Sequence, residues 1–234
     1  ANWFFMTKDT DTTVKYKENG QEMTKDLPKG TLLMDGTYTF VDGVEAGKTY
    51  SFAANGVLLN QGQGWVQEGG NWYWIQEDGT RFAGKKDLIE INQKKVWMLN
   101  KDSWNLINGK YYLFDDAAKG SEMLTGWQQA LNANGEVKWY YMTGNGDCVL
   151  NSWVQNTNNG DWYLTNASGE MVTGWAVRGG KTYFLNNGAF SHLNLGVMAT
   201  GTVKIDNNTY AFDASGALTS VNGQTVPAGV VPTL

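Results

Sequence analysis

A short aromatic run returns ten times along this 234-residue chain, and that repetition constrains the fold more than any other feature. Each run has three residues, and the middle residue is aromatic in every copy. Successive copies are separated by steps from 12 residues (37 to 49) to 34 residues (3 to 37). The first positions of the ten runs are Trp3, Thr37, Thr49, Trp72, Val96, Tyr111, Trp139, Trp162, Thr182 and Thr209.

A second marker, Gly or Ser followed by Trp, stands ahead of the central runs. We call the Trp of this marker the strand-one Trp, because it would lie on the first strand of a hairpin. The residues between it and the run are polar and rich in Gly and Asn, which supply the positive φ values that tight turns need. Each unit is therefore predicted to be a β-hairpin, with the aromatic run on the returning strand. The markers are Gly64-Trp65, Ser103-Trp104, Gly126-Trp127, Ser152-Trp153 and Gly174-Trp175.

Hairpins of this size cannot bury enough surface to be stable alone, so consecutive hairpins are expected to stack. We predict an all-β fold: a solenoid of stacked β-hairpins with diverged capping units at both ends. The repeat solenoid is predicted over residues 64–190, after diverged N-terminal hairpins over 1–63 and before a diverged repeat and tail over 191–234. No run of about 18 apolar residues is present, so no membrane span is expected.

The middle position and the first position of the aromatic run have different roles. The uniform middle ring predicts a packing contact that every unit repeats, because side chains of a strand alternate between its two faces. The first position changes between Trp, Tyr, Thr and Val, so stacking does not require an aromatic ring there. Four units combine a strand-one Trp with an aromatic first position: Trp65 with Trp72, Trp104 with Tyr111, Trp127 with Trp139, and Trp153 with Trp162.

Two such rings on one hairpin, closed by a ring from the next hairpin, would form an open aromatic box. A box of this kind holds a quaternary ammonium group by cation–π attraction, about 0.5–2 kcal/mol for each good contact. The net charge of −5 favours a cation as the ligand. Met123 and Met171, each shortly after a Gly in the loop that leaves a hairpin, are candidates for a polarizable wall.

The segments from Gly126 to Gly146 and from Ser152 to Trp175 resemble the choline-binding, or cell-wall-binding, repeats of Gram-positive surface proteins and phage lysins. The resemblance is clear over residues 64–190 and loose elsewhere. It implies a secreted protein of the Gram-positive cell wall, which holds phosphocholine of teichoic acids in cages between hairpins. Two rings of each cage would come from one hairpin and one from the next.

Carried over residue by residue, the resemblance implies four cages. No cage is expected at Trp175, because this residue faces Thr182 and the family pattern breaks there. The implied cages are Trp127, Trp139 and Tyr163; Trp153, Trp162 and Tyr183; Trp104, Tyr111 and Tyr140; and Trp65, Trp72 and Trp97.

Two other functions stay open at this point. Related repeats in clostridial toxins and glucosyltransferases bind sugars, and sugar rings also stack on Trp, so a glycan-binding array is the first alternative. The second is a structural or protein-interaction solenoid in which the Trp and Tyr rings only pack and the Met side chains only fill gaps. Self-association into a homo-oligomer would use the end hairpins.

Composition excludes several other classes of protein. With 18 Lys and Arg against 23 Asp and Glu, the chain has no basic stripe for nucleic acid. The single Cys148 and the single His192 allow neither a disulfide framework nor a Cys/His metal site. No Ser/His/Asp order and no phosphate-binding glycine loop is visible, so the sequence indicates a binding protein without a cofactor rather than an enzyme.

Overall fold

Within the part of the chain that the structure describes, the regular secondary structure is almost entirely short strands joined by tight turns, which confirms the predicted all-β hairpin fold. The structure is a computed structural model that describes residues 12–18, 21–34, 36–41, 49–52, 56, 58–60, 63–76 and 80–232. The first aromatic run, beginning at Trp3, lies outside the described residues. The chain folds into two compact units, one of residues 1–86 and 114–123 and the other of residues 87–113 and 124–234. The predicted division at residues 63 and 190 stays a prediction.

The first unit contains a five-stranded sheet, in the order β2-β1-β3-β4-β5, and the separate hairpin β6–β7. The sheet buries Val14, Leu27, Phe40 and Phe52 in one cluster, so this diverged N-terminal part has a core of its own. Its strands are β1 (Thr12–Glu18), β2 (Gln21–Leu27), β3 (Gly36–Phe40), β4 (Thr49–Phe52), β5 (Leu58–Asn60), β6 (Gly64–Glu68) and β7 (Asn71–Ile75).

The second unit is a succession of hairpins. Three of its hairpins, β10–β11, β14–β15 and β16–β17, are separate two-stranded sheets. The hairpin β12–β13 forms a four-stranded sheet with the inserted hairpin β8–β9, in the order β13-β12-β9-β8. The last four strands form the sheet β18-β19-β20-β21. A short 3-10 helix, Lys101–Ser103, lies between strands of this unit, and another, Ala117–Lys119, belongs to the first unit. The strands are β8 (Lys86–Ile91), β9 (Lys94–Leu99), β10 (Trp104–Ile107), β11 (Lys110–Leu113), β12 (Gly126–Leu131), β13 (Val137–Met142), β14 (Trp153–Gln155), β15 (Trp162–Leu164), β16 (Gly174–Arg178), β17 (Lys181–Leu185), β18 (Gly201–Ile205), β19 (Asn208–Phe212), β20 (Leu218–Val221) and β21 (Gln224–Thr225).

The turns set the register of the strands. Asn108 and Gly109 have φ values of 50° and 76°, the left-handed pair of a type I′ turn. This turn places Ile107 opposite Lys110, and the rest of the β10–β11 register follows from that pair. The Asn-Gly signal in the sequence therefore fixes which side chains share a face of the hairpin.

The middle ring of the aromatic run is buried in most units, as expected for a packing contact. The exposed fractions are 9% for Tyr50, 7% for Tyr73, 4% for Tyr140, 7% for Tyr163, 8% for Tyr183 and 0% for Tyr210. The expectation is wrong at Trp97, which is 64% exposed. The physical reason is that β9 belongs to the inserted hairpin, pairs with β12, and buries Met98 and Leu99 instead.

Successive loops of the second unit touch through a glycine and a sulfur-containing side chain. A Cβ atom added at Gly196 would lie 2.4 Å from the Sδ of Met171, and one added at Gly216 would lie 2.3 Å from the Sδ of Met198. At Gly169 the neighbour is the Sγ of Cys148, at 2.8 Å. These glycines thus allow close contact between loops as well as a left-handed turn.

We expect Gly196→Ala to lower the free energy of unfolding more than Gly160→Ala does. Both glycines have nearly the same φ, +82° and +81°, so both substitutions carry the cost of a left-handed alanine, about 1–2 kcal/mol. Only at Gly196 does the new methyl also displace Met171, which adds about 1 kcal/mol or more. Urea denaturation of the two variants measures the difference, and equal losses would contradict the proposed loop contact.

Candidate functional site

The strand-one Trp of one hairpin packs against the middle Tyr of the next hairpin. The centroids of the two rings are 4.9 Å apart for Trp104 and Tyr140, for Trp127 and Tyr163, and for Trp153 and Tyr183. The distance is 5.0 Å for Trp175 and Tyr210. We call each such contact between consecutive hairpins a junction. The structure therefore brings together the ring pairs assigned to three of the four predicted cages.

The first-position ring lies on the same face of the hairpin as the strand-one Trp. Trp127 is directly opposite Tyr141 and Gln129 is opposite Trp139, so Trp139 is the diagonal neighbour of Trp127. The same register holds at the other aromatic first positions, where the opposite residues are Gln155 for Trp162, Leu106 for Tyr111 and Gln67 for Trp72. Trp72, Tyr111 and Trp162 are 41%, 45% and 39% exposed, so these three first-position rings are open to solvent, whereas Trp139 is partly buried.

A backbone hydrogen bond recurs beside each first-position ring. In every case the donor is the N–H of a sulfur-containing residue in a later loop, and the acceptor is the carbonyl of the first-position residue. The bonds run from Met123 to Trp72 (2.7 Å), from Cys148 to Tyr111 (2.8 Å), from Met171 to Trp139 (2.8 Å) and from Met198 to Trp162 (2.8 Å).

This hydrogen bond places one sulfur residue next to the first-position ring of each predicted cage, and two of the four were missed from the sequence. Met171 belongs to the cage of Trp127, Trp139 and Tyr163, and Met198 belongs to that of Trp153 and Trp162. The signal was available, because Met198 and Cys148 follow Gly196 and Gly146 by two residues, as Met171 follows Gly169. Three of the four sulfur residues also share a hydrophobic cluster with a ring pair: Cys148 with Trp104 and Tyr140, Met171 with Trp127 and Tyr163, and Met198 with Trp153 and Tyr183.

The first unit holds the cage around Trp65. The Trp65 ring lies 6.5 Å from Trp72 and 5.2 Å from Trp74, and it stacks on Phe114 at 5.9 Å with an angle of 19° between the ring planes. Phe114 thus supplies the ring against Trp65 within this unit, and the sequence pattern did not identify it. Trp97, the residue that the resemblance assigned as third wall, lies on β9 in the second unit and is 64% exposed.

The junction at Trp175 is filled by protein. Trp175 contacts Phe184, Tyr210 and Phe212 at 4.9, 5.0 and 6.0 Å. Thr182, at the first position, is buried, and its hydroxyl donates a hydrogen bond to the carbonyl of Val230 at 3.0 Å. The chain near Val230 covers the first-position residue Thr182, whereas the first-position rings Tyr111 and Trp162 are exposed. The first position of this junction is therefore closed to solvent.

Two residues at the predicted cage around Trp104, Tyr140 and Cys148, have raised pKa values. Burial raises the pKa of the Tyr140 phenol to about 12, and the nearby charge of Glu170 adds to this effect. Burial also raises the pKa of the Cys148 thiol to about 11, with a further contribution from Asp147. Both groups keep their protons well above pH 7, so attraction of a cation here comes from the ring faces and not from a phenolate or thiolate.

Other kinds of site have little support within the described parts of the chain. No group of three or more His, Cys, Asp or Glu side chains there is arranged to hold a metal ion. No helix in those same segments is long and apolar enough to cross a membrane. The recurring ring contacts make the aromatic junctions the candidate functional site.

Comparison with known proteins matches residues 63–80 and 151–171 to a family described as a cell wall binding repeat, of the choline-binding type. Glucosyltransferase-S of Streptococcus mutans is 26% identical over 178 aligned residues, which cover 67% of this chain and 10% of the enzyme. The chain thus spans a tenth of the length of that relative.

Two solved structures from Streptococcus pneumoniae are similar to the chain along nearly all of it. CbpJ is 24% identical with a TM-score of 0.46, and the match covers 97% of this chain and 74% of CbpJ. Choline binding protein F, solved in the presence of a peptidoglycan analogue, is 26% identical with a TM-score of 0.44, covering 98% of this chain and 76% of that protein. The resemblance seen in the aromatic runs is confirmed by the matched family: residues 63–80 and 151–171 of this chain match the cell wall binding repeat of the choline-binding type.

Proposed function

We propose that the chain is a non-catalytic binding module that holds choline groups of teichoic acid on the surface of a Gram-positive cell wall. The observation that carries the proposal is the repeated constellation of a strand-one Trp, a first-position ring on the same open face, and a Tyr of the next hairpin 4.9 Å from the Trp. Three rings around an open space suit a trimethylammonium group, whose charge attracts ring faces and whose methyl groups contact them.

The chemistry of the rings is compatible with a cationic ligand. Within the first unit, the guanidinium carbon of Arg81 already lies 3.9 Å from the centroid of the Tyr73 ring, so an aromatic face in this protein accepts a cation. The walls of the proposed cages are Trp, Tyr, Phe, Met and Cys side chains, with no Asp, Glu, Lys or Arg among them. A cationic ligand can therefore bind to the ring faces without displacing a charged side chain of the cage from an ion pair.

A row of weak sites suits a polymer better than a free metabolite. A few cation–π contacts of about 0.5–2 kcal/mol each give only weak binding at one cage. A wall polymer presents many choline groups, and simultaneous binding at several cages raises the overall affinity by about 10²–10⁴. The proposed role is therefore retention at the cell wall.

Titration of the whole chain with choline, followed by Trp fluorescence and melting temperature, tests the proposal. We expect saturable changes in the millimolar range. The control is 3,3-dimethyl-1-butanol, an uncharged analogue with the same shape, which should bind much more weakly because it lacks the cation. No change in either signal at saturating millimolar choline would contradict the proposal.

Glycan binding is the second candidate function. It is favoured by the exposure of Trp72, Tyr111 and Trp162, because open ring faces also stack on sugars. A glycan array with the same protein sample tests it. Binding of a glycan without any response to choline would replace the first proposal by this one.

A further inference from the structure

Three of the four cages carry a glutamine at one and the same place. Gln67, Gln129 and Gln155 each follow a strand-one Trp by two residues. Each is also directly opposite the first-position Trp of its hairpin: Gln67 opposite Trp72, Gln129 opposite Trp139 and Gln155 opposite Trp162. The fourth cage differs, because Leu106 is opposite Tyr111.

This register places the glutamine beside both rings of its cage. Directly opposite residues of an antiparallel pair have Cβ atoms about 4.5–5.5 Å apart, and residues two apart on a strand share a face. Gln129 is therefore a neighbour of Trp139 across the strands and of Trp127 along the strand. All three glutamines are exposed, so their amides lie at the open rim of the cage and not in the core.

The amides at the rim are available to a ligand. Within the described segments, neither Gln67, Gln129 nor Gln155 makes a side-chain hydrogen bond. The adjacent Gln128 is a natural contrast: it lies on the other face, opposite Tyr140, and its amide donates to the Thr125 carbonyl at 2.7 Å. Two neighbouring glutamines thus differ in that one amide is used by the protein and the other is free.

A neutral amide is well suited to a ligand that carries both a cationic ammonium group and an anionic group. A Lys at the rim would repel the ammonium group, and a Glu would repel an anionic group attached to it. An amide N–H donates to an anionic oxygen without either penalty, and hydrogen bonds to charged groups are stronger than those between neutral groups. In phosphocholine the phosphate is joined to the ammonium nitrogen by a two-carbon chain, so it emerges from a cage at its rim.

We infer that Gln67, Gln129 and Gln155 form a phosphate-reading rim, which makes three of the cages prefer a phosphocholine ester over choline. The inference rests on the proposed function of the cages. The cage of Trp104 and Tyr111, with Leu106 at the rim, has no such donor and binds the two ligands through the cation alone.

Calorimetric titration of the whole chain with choline and with glycerophosphocholine tests this inference. The variant is the triple substitution Gln67→Leu, Gln129→Leu and Gln155→Leu, which copies the Leu106 that the chain already uses. We expect glycerophosphocholine to bind about three- to tenfold more weakly and choline affinity to change less than twofold, since one hydrogen bond is lost at each cage. Gln128→Leu is the matched control and should leave the preference unchanged. Leu106→Gln should increase the preference at the fourth cage.

The outcomes separate this inference from the proposed function. If the triple variant still binds choline and the ratio of its affinities for glycerophosphocholine and choline is unchanged, the inference about the glutamines is wrong and the proposed function stands. An equal loss for both ligands would also overturn that inference, because the glutamines would then act on the cage and not on the phosphate. Failure of the unaltered protein to bind choline would overturn the proposed function and the rim together. Methyl glucoside serves as a further ligand, and a loss confined to it would assign the amides to sugar hydroxyls and overturn the phosphate reading.

Discussion

Replacing Tyr163 with Ala is expected to lower the free energy of unfolding by about 3–5 kcal/mol, the usual cost of deleting a large buried ring. Tyr163 is 7% exposed, packs in a cluster with Val154 and Val197, and lies 4.9 Å from Trp127 of the preceding hairpin. The substitution therefore removes the packing of its own hairpin and one junction at the same time. Urea denaturation followed by near-ultraviolet circular dichroism measures the loss.

Tyr163→Phe is the matched control for this experiment. It keeps the ring and the junction and removes only the hydroxyl, so we expect a loss of less than about 1.5 kcal/mol. A loss below about 1 kcal/mol for Tyr163→Ala would mean that the middle ring is not a packing residue. The ring would then have to be assigned to ligand binding alone.

Replacing the first-position residues Trp139 and Trp162 with Thr is expected to remove two choline sites and leave the fold intact. Thr182 occupies the equivalent first position in the hairpin β16–β17, and that hairpin forms normally. Trp162 is 39% exposed, so its loss costs little packing. Each altered cage loses one cation–π wall together with its methyl contacts, which weakens choline binding about tenfold or more.

The stoichiometry of choline binding in calorimetry is the direct measurement, and we expect it to fall by two. Trp97→Thr is the control, because Trp97 is exposed on the inserted hairpin and no change in choline binding is expected there. Unfolding of the Trp139→Thr, Trp162→Thr variant would show that these rings are core residues. Unchanged stoichiometry in a folded variant would place the ligand elsewhere.

Most of the fold could be predicted because its determinants are local. Turn residues such as Asn108-Gly109 and the alternation of faces along a strand are set within one hairpin, so the sequence pattern reveals them. The ring pairs between consecutive regular hairpins, such as Trp127 with Tyr163, follow from repetition in the same way.

The rest of the candidate site depends on tertiary packing that no single repeat contains. Phe114 contacts Trp65 although the chain passes through the inserted strands β8 and β9 between them, so the rule that the next run closes the cage fails there. Met198 was missed because the loop between its hairpin and Gly196, with Phe190 buried, is longer than in the preceding units, although the spacing from Gly196 to Met198 is the usual one. Cys148 was missed because its residue type departs from Met, whereas its backbone position does not.

The hydrogen bond from each sulfur residue to the carbonyl of a first-position residue joins main-chain atoms only, whichever side chains are present. Trp with Met, and Tyr with Cys, are accommodated by the same bond at 2.7–2.8 Å. The first-position side chain can therefore change without loss of this main-chain contact between repeats. An array built in this way keeps one main-chain contact constant while the first-position side chain varies from unit to unit along the chain.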